Sequence, residues 1–452
     1  MGKLHFATAL LPDGWRDDVL VTLRDGVIAS VEPAAPAGDA QRVSGAAVPG
    51  LPNLHSHTFQ RGMAGLAERR GASADSFWTW REVMYRFLDR LDPEAVEAIA
   101  AWAFAEMLEA GFTAVGEFHY LHHAPDGRAY ASIAETAERI AAAAHAAGIG
   151  LTLLPVYYAQ GNFAGAPALP GQRRFLNGRQ GFERLVEASA AAMAPVPDAA
   201  LGIAPHSLRA VTLPDLAWLA ERWPDRPIHI HVAEQVKEVE DCVAAHARRP
   251  VELLYDTVAV DARWCLIHAT HAVPDEIDRI ASSGAVAGLC PVTEANLGDG
   301  VFDALRFLNE GGRFGVGSDS LIRISAADEL RTLEYGQRLR HRSRNALGRA
   351  GFSTGRRLFD AALSGGAQAL GRSLGALAPG RRADIVVLDS EHPSLAAARG
   401  DALIDAWIFS ADNAAVRDVW CGGAHIVREG RHRARDRLLS RYRETLRRLE
   451  TL

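Results

Sequence analysis

The sequence predicts an α/β fold: a (β/α)8 TIM-like barrel with a small β-sandwich domain built from both chain termini. Three observations predict it. Eight short apolar segments recur between residues 51 and 319, separated by longer helical patterns. Several of these segments end on a histidine or a carboxylate. Strand-and-turn patterns occupy both ends of the chain, and neither set is expected to bury both faces of a sheet alone. The expected organisation is residues 1–48 as the N-terminal part of the small β domain, 49–370 as the barrel, and 371–452 as its C-terminal part plus a terminal helix.

Within the first 48 residues, LHFATALL, DDVLVTLRDGVIASVE and SGAAVPG alternate apolar stretches with Asp-Gly and Gly-rich turns, the pattern of short strands. The barrel-strand candidates are LPNLH at 51–55, TAVGEF at 113–118, GLTLLPV at 150–156 and LGIAPH at 201–206. PIHIHV at 227–232, WCLIH at 264–268, AVAGLCP at 285–291 and FGVGSD at 314–319 complete the eight. Their apolar character suits parallel strands covered by helices such as EAVEAIAAWAFAEMLEAG and SIAETAERIAAAAHAAG. An open doubly wound sheet is the alternative. It is disfavoured by the lack of a GxGxxG loop after an early strand and by polar residues at many strand ends. Toward the other end, RRADIVVLD, DALIDAWIFS and VRDVWCGGAHIVREGR read as strands, and RARDRLLSRYRETLRRLE as an amphipathic helix.

A chain of 452 residues, 48% hydrophobic and 23% charged, can bury a large core and is neither disordered nor fibrous in character. The formal charge of -6 supplies no broad cationic surface, so nucleic acid is not an expected partner. Cys242, Cys265, Cys290 and Cys421 have no paired zinc-finger or thioredoxin-like spacing and are expected to be reduced, packed thiols. The start lacks a long apolar signal segment, and no uninterrupted apolar run reaches the roughly 18 residues of a membrane span. No membrane partner and a cytoplasmic location are the expectations.

The chemistry concentrates at strand ends. His55 and His57 in NLHSHTF lie two apart, so a strand points both side chains to one face. HIHVAE offers His229 and His231 on one face with Glu234 just beyond, and His231 lies nearer the loop. CLIHATH supplies His268 and VGSDS supplies Asp319. Because barrel strands converge at their carboxyl ends, these separated positions can meet around one ion. His55, His57, His231 and Asp319 are the expected metal ligands; their donors suit one Zn2+ per chain, with Fe2+ as the alternative. His229 and His271 are left as barrel or supporting residues. Zinc lowers the pKa of a water and polarises an electrophile. Glu234 is placed to manage the protons, with His268 and Asp319 orienting the water. The only lysines are Lys3 and Lys237. A lysine-bridged metal pair therefore has no candidate at the fourth strand, and a mononuclear site is expected.

Polar groups gather beside these ligands: Gln60 and Arg61, then Arg81 in SFWTWREVMYRF, Tyr120 in EFHYLHH, and His206 and Arg209 in APHSLRA. Arginine grips carboxylates through paired donors, which points to an acidic small-molecule substrate. A salt bridge remains the alternative use of each arginine, and Trp78 and Trp80 can simply pack a loop. EANLGDG, with Glu294 and Asn296, is expected as an active-site loop whose acidic and amide groups can equally serve to stabilise turns, and no catalytic role is assigned to it.

Together, LPNLHSHTFQRGMAG, SFWTWREVMYRF, VGEFHYLHH, APHSLRAVT, HIHVAEQVKEVEDC, CPVTEANLGDG and GSDS resemble the amidohydrolase superfamily. Within its zinc deaminase branch they resemble the formiminoglutamate deiminase family. The resemblance implies hydrolysis of N-formimino-L-glutamate to N-formyl-L-glutamate and ammonia in histidine degradation. It places zinc on His55, His57, His231 and Asp319, with Glu234 as proton carrier and His268 assisting. It also implies that Gln60, Arg81, Tyr120, His206 and Arg209 contact the substrate, and that the protein is a homodimer. The sequence departs from the pattern at Leu321, where related deiminases often carry a histidine after GSDS. Deamination of guanine, cytosine or a related cyclic amidine is the enzymatic alternative; a noncatalytic metal- or metabolite-binding barrel is the other.

Overall fold

The computed structural model describes residues 2–71 and 75–450. The first strands are β1 (Gly2–Leu11), β2 (Gly14–Arg24), β3 (Val27–Glu32) and β4 (Gln41–Pro49). Val19, Val21 and Leu23 of β2 face inward and are buried, and β1 pairs antiparallel with β2 and parallel with β4. One residue, Gly50, separates β4 from β5 (Leu51–Ser56), the first barrel strand.

The barrel continues through β6 (Phe112–His119), β7 (Gly150–Tyr157), the short β8 (Ala200–Leu201) and β9 (Ala204–Pro205), and β10 (Ile228–Val232). It ends with β11 (Trp264–His268), β12 (Val286–Leu289) and β13 (Arg313–Val316). The strand-to-strand pairings are parallel, in the order β10, β11, β12, β13, β5, β6, β7, β8. The fourth strand position is split: β8 and β9 both pair with β7, and parallel bridges Ile203–Ile228 and Ser207–His231 close the ring against β10. The seventh and eighth strands are shorter than their sequence segments, because Pro291 starts a helix and Gly317 leaves the regular ladder. Pro93–Glu109 begins with Asp92 capping Ala95 N–H and a proline in the first turn, and is buried nearly all round between barrel and C-terminal helix.

The chain returns to the first sheet through β14 (Ile385–Leu388), β15 (Val416–Cys421), β16 (Ala424–Arg428) and β17 (Arg431–His432). β14 pairs antiparallel with β4, Val387 opposite Ala47, so the two termini form one hydrogen-bonded sheet of eight strands. Phe6, Val21, Ile28, Ile385 and Trp420 contribute to a core of its own. DALIDAWIFS, expected as a strand, is instead the helix Asp401–Ser410. Its buried Leu403, Ile404, Trp407 and Ile408 recur at helical spacing, a period outweighed in the sequence reading by its strand-rich neighbours. The amphipathic helix Arg435–Glu450 lies across Pro93–Glu109, stacking Tyr442 on Trp102 at 5.9 Å and hydrogen bonding Tyr442 Oη to the Arg61 carbonyl at 3.2 Å.

The barrel interior is plugged at its amino-terminal end. Ala369, Leu370 and Leu374 pack with Leu54, Ala114 and Ile267. The carbonyls of Ala369 and Leu370 accept hydrogen bonds from His229 at 2.8 Å and Thr152 at 3.0 Å. His229 thus supports the barrel floor. The preceding helix, Thr354–Ala369, reaches the strands through glycine: a Cβ on Gly365 would lie 1.9 Å from the Phe314 carbonyl oxygen. Gly365→Ala is expected to cost about 1–3 kcal/mol by forcing helix and strand apart, seen as a lower midpoint in thermal unfolding; an unchanged midpoint refutes this packing role.

Candidate active site

The carboxyl ends of β5, β10 and β13 bring His55, His57, His231 and Asp319 together. One donor atom from each lies within 4.8 Å of the others, and all four residues are buried. Asp319 Oδ1 lies 3.5 Å from His55 Nε2 and 3.3 Å from His57 Nε2, while His55 Nε2 and His231 Nε2 are 3.1 Å apart. A tetrahedral zinc shell with bonds of about 2.0–2.2 Å sets donors roughly 3.3–3.6 Å apart, and these separations lie close to that spacing. The tautomers agree with that fit. His57 Nδ1 donates to the Phe118 carbonyl and His231 Nδ1 to the His206 carbonyl, both at 3.0 Å, leaving each Nε2 lone pair facing the cluster. Burial, ahead of mutual repulsion, holds His55 and His231 well below the usual histidine range, and burial also lowers His57. Neutral imidazoles are the form that binds a cation.

Backbone interactions aim these donors. Asp319 N–H donates to the His55 carbonyl at 3.0 Å, and His57 N–H to the Asp319 carbonyl at 3.1 Å. A Cβ on Gly317 would lie 2.8 Å from His55 Cβ and O, so only glycine allows the eighth strand to pass so near the first. His268 and Asp319 both adopt left-handed conformations, φ 69° and 42°, a concentration of strain at the strand ends. Asn53 pins the turn by accepting from Ser318 N–H at 3.1 Å, and Thr293 Oγ1 accepts from Ser320 N–H at 3.2 Å. Leu321, where the resemblance expected histidine, is buried with φ 57°; its N–H donates to Ser318 and its carbonyl accepts from Arg61 at 3.3 Å.

A cavity with about 580 Å³ of empty volume opens above the cluster. Glu234, His268, Gln60, Arg81, Tyr120, His206 and Arg209 all line it beside His57, His231 and Asp319. His268 Nε2 lies 3.9 Å from both Glu234 Oε1 and Asp319 Oδ2. Burial raises the Glu234 carboxyl against the opposing pull of His268 and Arg209. Burial acts to lower His268, but Glu234, the hydrogen bond to Glu294 and Asp319 outweigh it, pushing its pKa to about 10. Glu238 holds the Glu234 turn, accepting from the N–H groups of Ala233 at 3.3 Å and Glu234 at 3.0 Å.

The two cavity arginines differ from most others in the chain. Arg209 is buried, and its nearest carboxylate, Glu234, is 3.9 Å away; Arg81 has no ion pair among the described residues. The Nε of each is buried without a hydrogen-bond partner. Their guanidiniums sit 4.5 Å (Arg81) and 5.8 Å (Arg209) from the Trp78 ring centroid. The helix Phe77–Leu88, capped by Ser76, lines the cavity with Phe77, Trp80, Arg81, Met84 and Tyr85, the i, i+3, i+4 spacing of one face. Gln60 Nε2 donates to Tyr120 Oη at 3.0 Å, while Gln60 Oε1 is buried and unpartnered. Arg61 instead pairs with Glu106 at 2.6 Å, whereas His122 and His123 serve carbonyls of neighbouring segments.

Sequence reasoning missed three features. Glu294 Oε1 accepts from His268 Nδ1 at 3.2 Å and from Cys290 N–H at 2.9 Å, fixing the ring that faces the cavity. Its position on the first helix after β12 was the available signal. Tyr158 and Phe175 line the wall, but aromatic residues in long loops carry no spacing that separates them from core. Glu238 reads in sequence as an ordinary helix carboxylate.

A closed barrel whose strand ends present three imidazoles and a carboxylate beneath a polar cavity defines a metal-dependent hydrolase. Residues 46–426 match the amidohydrolase family, and residues 1–44 match the N-terminal domain of formimidoylglutamate deiminase HutF. Formimidoylglutamate deiminase from Pseudomonas aeruginosa is 55% identical over 440 residues, 97% of each chain. A 5-methylthioadenosine/S-adenosylhomocysteine deaminase from Shouchella clausii is 27% identical, covering 95% of this chain and 94% of its own. The crystal structure of an amidohydrolase from Brucella melitensis matches with TM-score 0.95 and 54% identity over the whole of both chains. An adenosine deaminase from Xanthomonas campestris with bound zinc shares the fold at TM-score 0.83 and 22% identity, covering 100% of this chain and 98% of its own. The chain belongs to the amidohydrolase family and, within it, to the formimidoylglutamate deiminases.

Glu294→Ala is expected to free the His268 ring and lower kcat about 10- to 100-fold, with bound metal per chain unchanged. Full kcat with an intact metal content rules out this support.

Proposed function

We propose that the chain hydrolyses N-formimino-L-glutamate to N-formyl-L-glutamate and ammonia, the deimination step of histidine degradation. The relative from Pseudomonas aeruginosa that bears this activity's name, aligned over nearly all of both chains, supports the substrate. The observation that carries the reading is local: Arg81, without an ion pair among the described residues, and Arg209, 3.9 Å from Glu234, share a cavity with a histidine–aspartate cluster.

His55, His57, His231 and Asp319 would hold Zn2+, which when bound acidifies a water and polarises the electrophile. Arg209 and Arg81 bind the two glutamate carboxylates, which direct the formimino group toward the cluster. Gln60, Tyr120 and His206 line the path with donors and acceptors for the formimino nitrogens and the backbone of the substrate. Water oxygen adds to the formimino carbon as Glu234 takes its proton. The resulting tetrahedral adduct collapses with cleavage of the bond to the terminal nitrogen. Glu234 delivers that proton to the terminal nitrogen and then passes it a second one, taken from the adduct's hydroxyl as C=O forms, so that ammonia departs and the formyl group remains on glutamate. His268, held by Glu294, orients the attacking oxygen from the far side of Asp319. Burial raises the Glu234 carboxyl above the usual carboxylate range, which favours its holding a proton between the two transfers. A homodimeric assembly and a cytoplasmic setting belong to the same proposal and rest on the family resemblance. Among the described residues no helix is long and apolar enough to cross a membrane.

Zinc-loaded protein incubated with N-formimino-L-glutamate is expected to release ammonia and N-formyl-L-glutamate; formamide and glutamate as products, or preference for a cyclic amidine, overturn the assignment. Glu234→Gln is expected to lower kcat by about 100- to 10,000-fold with zinc retained, and undiminished turnover removes its role. Arg209→Ala is expected to lose roughly 1.5–3 kcal/mol of recognition, read as an increase in KM for the acidic substrate; an equal loss against a neutral amidine contradicts a carboxylate contact.

A further inference from the structure

Asp319 faces two ways. Its Oδ1 is turned to His55 and His57, at 3.5 and 3.3 Å, while Oδ2 lies 3.9 Å from His268 Nε2. On that second side His268, Cys290 and Asp319 each offer a donor atom within 4.8 Å of the others, all three residues buried. Glu294 accepts from His268 Nδ1 at 3.2 Å, which turns Nε2 toward Asp319; the neighbouring carboxylates hold a proton on this ring, and an ion would displace it from Nε2. Cys290 follows β12 at the barrel's carboxyl end and is buried beside Leu54 and Ile267.

We propose that His268, Cys290 and Asp319 form a second, weaker metal site, with Asp319 bridging it to the first, and that an ion there inhibits the enzyme. The inference rests on the reading of Asp319 as a ligand of the first ion. Imidazole, carboxylate and thiolate together select a borderline or soft cation such as Zn2+, Co2+ or Cd2+ over Mg2+. Binding forms a sulfur–metal and a nitrogen–metal bond and releases the Cys290 thiol proton and the His268 Nε2 proton to solvent; no oxidant or reductant takes part. The ion would occupy His268 Nε2, the atom now 3.9 Å from Glu234 Oε1, and so remove it from the proton-handling face of the cavity. This differs from the lysine-bridged pair that the sequence excludes, because its distinctive donor is a thiol from the seventh strand end.

Metal-free protein titrated with Co2+ and followed by absorption tests the site without reference to turnover. The first equivalent is expected to give the ligand-field bands of a nitrogen and oxygen site. The second is expected to add a sulfur-to-cobalt charge-transfer band in the near ultraviolet, with two cobalt ions retained per chain. Cys290→Ala is expected to bind one cobalt and lack that band. With Zn2+, wild-type activity is expected to peak at one equivalent and fall in excess; in Cys290→Ala the half-inhibitory free zinc concentration rises at least tenfold while activity at one equivalent is unchanged. The wild-type titration stands without the variant. One cobalt per chain with no charge-transfer band overturns the second site alone, as does a band that arrives with the first equivalent or persists in Cys290→Ala. Failure to take up any cobalt overturns the first site, and the second with it.

Discussion

Closure of the barrel between its first and eighth strands is the constraint on which the site depends. In the regular ladder β13 meets β5 at a single residue pair, Val316 and Asn53. Beyond it, the seam is continued by hydrogen bonds between Asp319 and the backbone of His55 and His57, with Gly317 against His55. Three of the four converging donors therefore belong to one strand junction, and His231 completes the cluster from β10. Assembling the donors and shutting the barrel are the same structural event. An ion that binds only the closed form adds to its stability by mass action.

Polarity is sorted along the cavity above that junction. Carboxylates and imidazoles occupy its floor, whereas Arg81 and Arg209 stand beside Trp78, a surface that can hold a planar cation without neutralising it. Elsewhere the numerous arginines are largely committed to carboxylates or carbonyls, as Arg61 is to Glu106 and Arg174 to Leu91. This contrast sets the two cavity arginines apart from the structural ones more clearly than residue type does.

The sequence made the barrel legible because its strands are short, apolar and separated by helical periods, and because His55, His57, His231, His268 and Asp319 sit at comparable places on them. Gln60, Tyr120, His206 and Arg209 were accessible for the same reason, lying a few residues beyond strand ends. DALIDAWIFS was misread because 10 mostly apolar residues carry both periods weakly, and only packing of Leu403 and Trp407 selects the helix. Glu294 escaped because its meaning comes from His268, 26 residues away in sequence and 3.2 Å away in space. The walls contributed by Tyr158 and Phe175 depend on loop paths, which local patterning does not encode.

The pairing of β4 with β14 has a further consequence during synthesis. The strands that start the chain and lead directly into the barrel lack their central neighbour until more than 300 residues have followed. A growing polypeptide leaving the ribosome must keep that open edge from joining another nascent chain. The short parallel union of β1 with β4 and the twofold turn through β2 and β3 give the early segment its own internal partners. They form a provisional shelter, completed only when the distant half arrives.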